Sequence, residues 1–398
     1  MNPENQIILL SSKLHPSYEE MEELNRQLPL VADWEEAVRS LIARGVGPLF
    51  YSKLSLLSQA AVMPAEAVEM LRQSYYRTLS RGMVLQDVFR KVAGAFTAAG
   101  IRVVALKGIH LAEWLYGDIG LRQLSDIDIL VRKEDGEQCM QLLAGLGFVQ
   151  SGDEVSHTIS EQMGIIHYPA MLLRDVSVEI HINLYRAGEP YTIDIRQLID
   201  NALPITLAGV PVHALELYDL LIYGCIHLHK HFAGGDIQFT SLSDLVNLLD
   251  IHAAEIDWPE LDARCRAYHC EEVVYKYLAL IHKYFRVSIP AGSAVQLPSP
   301  HREEPGVRFP YLSAQDEELF KRYLNGYKST PYGALTHIEN IRKNKGLRAK
   351  LRYFVLVVFP VKAFMRNNYR MKYPQVYWLY YPLRHWKGVK GMWKKAAP

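Results

Sequence analysis

Val103-Val104-Ala105-Leu106-Lys107-Gly108 and, a short segment later, Leu121-Arg122-Gln123-Leu124-Ser125-Asp126-Ile127-Asp128-Ile129-Leu130-Val131 decide how the rest of the chain is read. A strand has period two, so Asp126 and Asp128 point to one face while Ile127, Ile129 and Val131 point to the other. Two carboxylates on one strand face can hold a divalent ion. In the first run, residues 103–106 read as a buried strand that stops at Lys107-Gly108, and residues 109–116 have helical spacing. A strand, a glycine turn and a helix N-terminus make a place for phosphate, because free backbone N–H groups and the helix dipole face the anion. Lys107 adds a cation there. A phosphate cradle facing paired acids is the layout for metal-dependent phosphoryl or nucleotidyl transfer.

Residues 176–184 alternate again, placing Glu179, His181 and Asn183 on one face and Val178, Ile180 and Ile182 on the other. If this strand lies beside the Asp126 strand, Glu179 becomes a third carboxylate, either a metal ligand or the base that deprotonates an acceptor. Oxygen ligands suit magnesium. Arg122 and Ser125 precede the acids and are placed to reach triphosphate oxygens; Arg122 can equally hold its loop through backbone carbonyls.

Lys107-Gly108, the run from Leu121 to Val131, and Val178-Glu179-Ile180-His181, in this order, resemble the nucleotidyltransferases of the DNA polymerase beta type. More narrowly, they are similar to a bacterial branch in which Lys-Gly stands where the superfamily has Gly-Ser, and the resemblance covers residues 85–250. It implies an α+β fold: a polymerase-beta-like core, with a small mixed sheet and flanking helices, plus helical N- and C-terminal regions. It also implies an NTP substrate, with ATP expected, and two Mg2+ ions held by Asp126, Asp128 and Glu179. The nucleotide would lie on Lys107, Gly108, Arg122 and Ser125. The serine that normally touches the triphosphate is missing, so Lys107 or Ser125 must substitute.

The resemblance further implies a histidine-rich helix followed by an aspartate, so that His227, His231 and Asp244 line the nucleotide or acceptor side of a cleft. A hydrogen-bonded histidine pair in a helical core is the competing reading. Zinc is disfavoured: His227 and His231 share a helix face, but Leu228 stands where a metalloprotease helix needs Glu, and no third ligand is evident. His157, His167 and Tyr168 fall in an irregular insertion that can touch the acceptor. Cys265, His269 and Cys270 lack zinc-site spacing.

At 398 residues, 49% hydrophobic and 22% charged, the chain has the make-up of a globular protein of two or three units. The expected division is a helical region 1–82, a catalytic core 83–212, a helical unit 213–290 closing the cleft, a Pro-rich linker 291–312 and a basic, aromatic region 313–398. Helices are expected over 18–28, 33–43 and 65–79, with another ending at Gly100, and later over 214–232, 241–252 and 268–285. Four scattered cysteines do not form a disulfide framework, and no basic-then-apolar leader follows Met1, so a reducing cytoplasm is expected. The apolar run 353–359 ends at Pro360, far short of the roughly 20 residues that span a bilayer.

The leading functional reading is transfer of an NMP from an NTP to an acceptor hydroxyl on a small molecule, peptide or protein side chain. A non-catalytic nucleotide-binding scaffold of a membrane-associated biosynthetic system competes with it, though all three acids are present. An RNA-modifying transferase would suit the aromatic, basic tail, but the acidic body offers nucleic acid no footprint.

Charge is segregated. Residues 340–398 hold fifteen of the 44 Lys and Arg and none of the 43 Asp and Glu, which leaves the preceding residues with a balance of −14. Twelve aromatics, Trp378, Trp386 and Trp393 among them, accompany the cations. The mixture suits an anionic membrane surface, such as the cytoplasmic leaflet, where rings lie at headgroup depth and each Lys or Arg contributes about 1 kcal/mol. Packing of the tail on the acidic body is the alternative. Full-length protein is therefore expected to sediment with anionic liposomes at low salt and a chain ending at Glu339 to stay in the supernatant; equal sedimentation of the two would remove the membrane reading.

Overall fold

The structure, a computed structural model, describes residues 1–151, 166–185, 188–233, 238–289 and 311–325. Four short helices lead: α1 (Pro3–Ser11), α2 (Tyr18–Gln27), α3 (Trp34–Ala43) and α4 (Gly47–Lys53). Their starts are written in the sequence. Asn2 accepts from the Asn5 N–H, Ser17 and Glu20 form a reciprocal capping box, and Asp33 accepts from the Glu36 N–H.

Next comes α5 (Ala65–Ala98), a single helix of 34 residues. The sequence reading splits it at Gly82, and the expected boundary at 82/83 falls inside it. Glycine costs about 1 kcal/mol in a helix interior, which neighbouring packing readily outweighs. A Cβ at Gly82 would stand 3.3 Å from the Ile119 carbonyl oxygen, so the glycine serves close approach of the 117–120 segment rather than a break. The first half of α5 buries Ala67 and Leu71 among the N-terminal helices, and the second half buries Leu85, Phe89, Val92 and Phe96 against the sheet.

The catalytic segment comes next as β1 (Val104–Ala105), α6 (Lys107–Trp114) and β2 (Asp126–Leu130), then α7 (Gly136–Gly145), β3 (Val149–Gln150), β4 (Met171–Leu173) and β5 (Val176–His181). After α8 (Ile195–Asn201) the hairpin β6 (Leu203–Leu207) and β7 (Val210–Ala214) completes the strands. The helical remainder is α9 (Leu217–Ala233), α10 (Phe239–His252), α11 (Trp258–Tyr268), α12 (Glu271–Phe285) and α13 (Ala314–Leu324). Among the described residues none of these helices is long and apolar enough to cross a membrane.

The strands form one mixed sheet in the order β3-β4-β5-β2-β1-β7-β6. β2 runs antiparallel to β1 and parallel to β5, with Asp126 opposite Ser177, Asp128 opposite Glu179 and Leu130 opposite His181. Period two then separates two environments. Ile127, Ile129, Val178 and Ile180 face one core with α5 and α7. Each such side chain contributes about 1.5–3 kcal/mol on burial. Leu130 on the other face joins a second, larger core that contains the N-terminal helices together with α9 to α13. Regions 1–82 and 213–290 therefore share one interior. Of the expected linker 291–312 only Tyr311 and Leu312 are described, and the basic stretch 340–398 lies outside the described residues.

Polar groups fasten the N-terminal helices to this interior. Lys13 is buried between Glu20 at 2.8 Å and Asp250 at 3.0 Å, and fully buried Asn247 accepts from the Leu14 N–H while donating to the Ser12 carbonyl. Lys53 is different. Its ammonium is buried with only two carbonyl acceptors, Leu49 at 2.9 Å and Ser11 at 3.3 Å, and burial pushes its pKa down from 10.5 to about 7. With the folded value below the unfolded one, the unfolded chain binds more protons between pH 7 and 10.5, so stability rises with pH across that window and the full cost is felt below it. Lys53→Met is expected to raise the melting temperature most near pH 6 and hardly at all near pH 10.5, up to about 1.4 kcal/mol for each unit of depression removed. Thermal unfolding of both proteins at the two pH values checks this.

Candidate active site

Local geometry starts at Lys107. It is the first residue of α6, two residues earlier than the sequence spacing gives, and its φ of 43° lies in the left-handed region. A non-glycine residue held there costs on the order of 1–3 kcal/mol unless its surroundings fix it. Here they do: Lys107 Nζ stands 3.3 Å from Asp128 Oδ2 and 5.6 Å over the Tyr223 ring. The lysine thus points at the acids, on the same side as the helix N-terminus. A Cβ on the next residue, Gly108, would come within 2.6 Å of an Arg122 guanidinium nitrogen and 2.9 Å of Leu124. Only glycine fits.

Asp128 is buried, while Asp126 and Glu179 are half-buried. His181 Nε2 lies 2.7 Å from Asp128 Oδ1 and 3.6 Å from Glu179 Oε2, and His167 Nε2 stands 3.6 Å from the same Glu179 oxygen. Burial alone would raise the pKa of Asp128, but the Lys107 ammonium and the bond from His181 reverse this and hold it well below the usual carboxylate range. Asp126 goes the other way, pushed up by burial and by the charge of Asp128 beside it. Glu179 is lowered, chiefly by His181. Asp126 Oδ1 accepts the Ser125 hydroxyl at 2.8 Å, so Ser125 supports an acid.

Ligand atoms of Asp128, Glu179 and His181 all lie within 4.8 Å of one another, the one such group among the described residues that could hold a metal ion. The sequence reading names Asp126 in that set and leaves His181 out. The signal is present, since His181 shares the strand face of Glu179 two residues on, but a third carboxylate draws the assignment.

These residues line a cleft of about 580 Å³, within the range of small-molecule sites. His227 and His231 line it too, with ring centroids 4.8 Å apart, and burial together with the Lys107 charge drives the His227 pKa well down. No candidate metal group among the described residues includes either histidine. The cleft is also lined by Arg44 from the end of α3, Thr240 from the start of α10, and Tyr323. Nothing in the sequence pattern could bring together residues so far apart. His167 reaches Glu179 as described; the Tyr168 ring instead packs over Gly136, whose absent Cβ would lie 2.3 Å from it. His157 lies outside the described residues. Cys139, Cys225, Cys265 and Cys270 are free and buried.

Arg122 and Asp244 meet each other. Arg122 Nε donates to Oδ1 at 2.8 Å and its terminal nitrogen to Oδ2 at 2.6 Å, Tyr116 donates its hydroxyl to Oδ1 at 2.9 Å, and a further guanidinium N–H reaches the Gln123 carbonyl at 3.1 Å. Both side chains are buried. Arg122, expected on the triphosphate, and Asp244, expected along the cleft, form in this structure a clamp between the loop before the acids and α10, and Arg122 also lines the cleft. The loop is held largely through a carboxylate, with one backbone carbonyl besides.

A family model described as uncharacterised nucleotidyltransferase matches residues 31–286, and the chain belongs to that family. Among solved structures, the solution structure of the antibiotic-resistance factor ANT(2'')-Ia is similar at 14% identity and a TM-score of 0.33, covering 50% of this chain and 96% of that one, a likeness too distant to bear on the chemistry. No curated protein matches the sequence.

Removing one member of a buried ion pair strands the other charge, at a cost of about 3–5 kcal/mol, whereas replacing both with apolar groups is far milder. Arg122→Met is expected to destabilise by that amount and Arg122→Met with Asp244→Leu to recover much of it, as read from urea unfolding midpoints.

Proposed function

We propose that the protein transfers a nucleoside monophosphate from an NTP, with ATP as the first candidate, to an acceptor hydroxyl. The acceptor oxygen forms a bond to the α-phosphorus, the bridging bond to the β-phosphate breaks, pyrophosphate leaves, and the hydroxyl proton passes to a carboxylate of the site, Asp126 or Glu179. The observation that supports this most is the β2–β5 pairing, which sets Glu179 directly beside Asp128 at the mouth of a helix N-terminus.

The donor set fits a divalent cation, because oxygens of Asp128 and Glu179 converge with an imidazole nitrogen within 4.8 Å. Mg2+, two ions by the family resemblance, would be held by Asp126, Asp128 and Glu179 and would supply charge neutralisation at the triphosphate and a more acidic acceptor hydroxyl. The chain's own residues do the rest. The N–H groups that open α6 and the Lys107 ammonium bind the β- and γ-phosphates. Lys107 is held on Asp128 by one ion pair and can exchange that partner for phosphate. His227, His231 and Ser125 line the same cleft, and the Arg122–Asp244 clamp fixes the loop that leads into the strand carrying Asp126 and Asp128. We read the basic residues 340–398 as the contact with an anionic membrane at the cytoplasmic face, where the acceptor would be met.

Asp128→Asn is expected to lose at least about three orders of magnitude in turnover, the scale of removing one charge-stabilising group from a reaction centre. Lys107→Ala should raise the NTP Michaelis constant as well as lower turnover. Both are read from release of labelled pyrophosphate in the presence of Mg2+ and fractionated acceptors; undiminished transfer by Asp128→Asn would overturn the assignment.

A further inference from the structure

We propose that His181 is itself a metal ligand, and that the Asp128–Glu179–His181 site selects Mn2+ over Mg2+; the inference rests on the transferase reading above and sharpens its metal. The geometry divides the two oxygens of Asp128. Lys107 Nζ takes Oδ2 at 3.3 Å, and His181 Nε2 faces Oδ1 at 2.7 Å. A cation entering beside Oδ1 therefore meets imidazole nitrogen on one side and Glu179 Oε2, 3.6 Å from that nitrogen, on the other. Asp126 is not part of the converging group, and its Oδ1 is engaged by the Ser125 hydroxyl.

His181 is buried and sits in strand β5, with its backbone paired to β2 and bridged to His167. Its ring is buried beside Asp128 on a strand whose backbone is paired on both sides. The 2.7 Å contact uses an Nε2–H donor, and ligation uses the other tautomer, whose Nε2 lone pair is available. His167 Nε2 stands 3.6 Å from Glu179 Oε2.

Two carboxylates and one imidazole form a mixed oxygen–nitrogen set. Mg2+ favours oxygen and gives up water reluctantly, whereas Mn2+ shares its preference for carboxylate but, as a transition metal, takes a nitrogen ligand more readily than Mg2+ does. Replacing the imidazole removes the ligand that distinguishes the two ions. Loss of groups supporting a metal site already costs about 10- to 100-fold in affinity, so loss of a ligand should cost at least tenfold.

The test uses the full-length chain with Mn2+ alone. Pulsed electron paramagnetic resonance of the wild-type protein is expected to show nitrogen modulation from a directly bound imidazole, which changes to the 15N pattern when the histidines are 15N-labelled. No substitution is needed for that result. His181→Asn, checked for folding by circular dichroism, is expected to lose the modulation and at least about tenfold in Mn2+ affinity, with little change for Mg2+. Mn2+ bound without nitrogen coupling, or bound equally well by His181→Asn, would overturn the proposal and leave the transferase reading standing. Failure to bind Mn2+ or Mg2+ with or without NTP would sink both.

Discussion

The ion pair between Arg122 and Asp244 is the constraint on which the site depends. Its guanidinium lies against Gly108, its carboxylate sits on α10 and also receives the Tyr116 hydroxyl, and all of this is buried. One interaction therefore fixes the cradle, the end of α6, the loop that enters β2 and the helical wall of the cleft. A lone buried charge is far costlier than an exposed one, so the elements it joins cannot drift apart cheaply. That rigidity lets the strained Lys107 backbone persist, since a left-handed lysine needs neighbours that over-determine it.

Electrostatics then differentiate acids that the sequence shows as equivalent. Asp128 sits between a lysine and a histidine and stays ionised, while Asp126, one strand step away, is bonded to a neutral hydroxyl and is raised. Two like carboxylates on one strand face cannot both hold full charge at low cost, and the chain resolves the conflict by setting the cations closest to one of them. A bound cation would redistribute that balance toward Asp126, and Lys107 is the group with somewhere else to go.

What is legible in the sequence is periodic. Alternation over 126–131 and 176–184 gives the strands and their faces, because period two leaves little freedom once one face is apolar; that the two strands are neighbours, with Asp128 opposite Glu179, is a matter of pairing that alternation does not contain. Apolar spacing gives the N-terminal helices over 18–28 and 33–43, while the caps at Ser17 and Asp33 emerge only with the structure. The β6–β7 hairpin escapes notice, since Pro204 and Pro211 disguise two short strands; α11 is missed, and the helix expected over 268–285 starts before the break at His269, φ 54°, because that break carries no glycine. The Arg122–Asp244 partnership spans 122 residues and has no local signature. His181 is visible on the right face and is passed over because carboxylates are the commoner ligand. Arg44 and Tyr323 reach the cleft only through tertiary packing, and their side chains look like ordinary surface residues in sequence.

The continuity of α5 has a consequence for how the molecule comes apart. At 1.5 Å per residue its 34 residues extend about 51 Å, and its two halves serve two different interiors. Melting either interior frays a helix whose other half is still packed, so the two are bound into one cooperative transition rather than two successive ones. The same shaft forbids modular reuse. A shuffled gene that cut the chain near Gly82 would deliver neither a helical cap nor a transferase core, which makes residues 1–98 and the sheet a single heritable unit in which insertions belong outside the helices and strands.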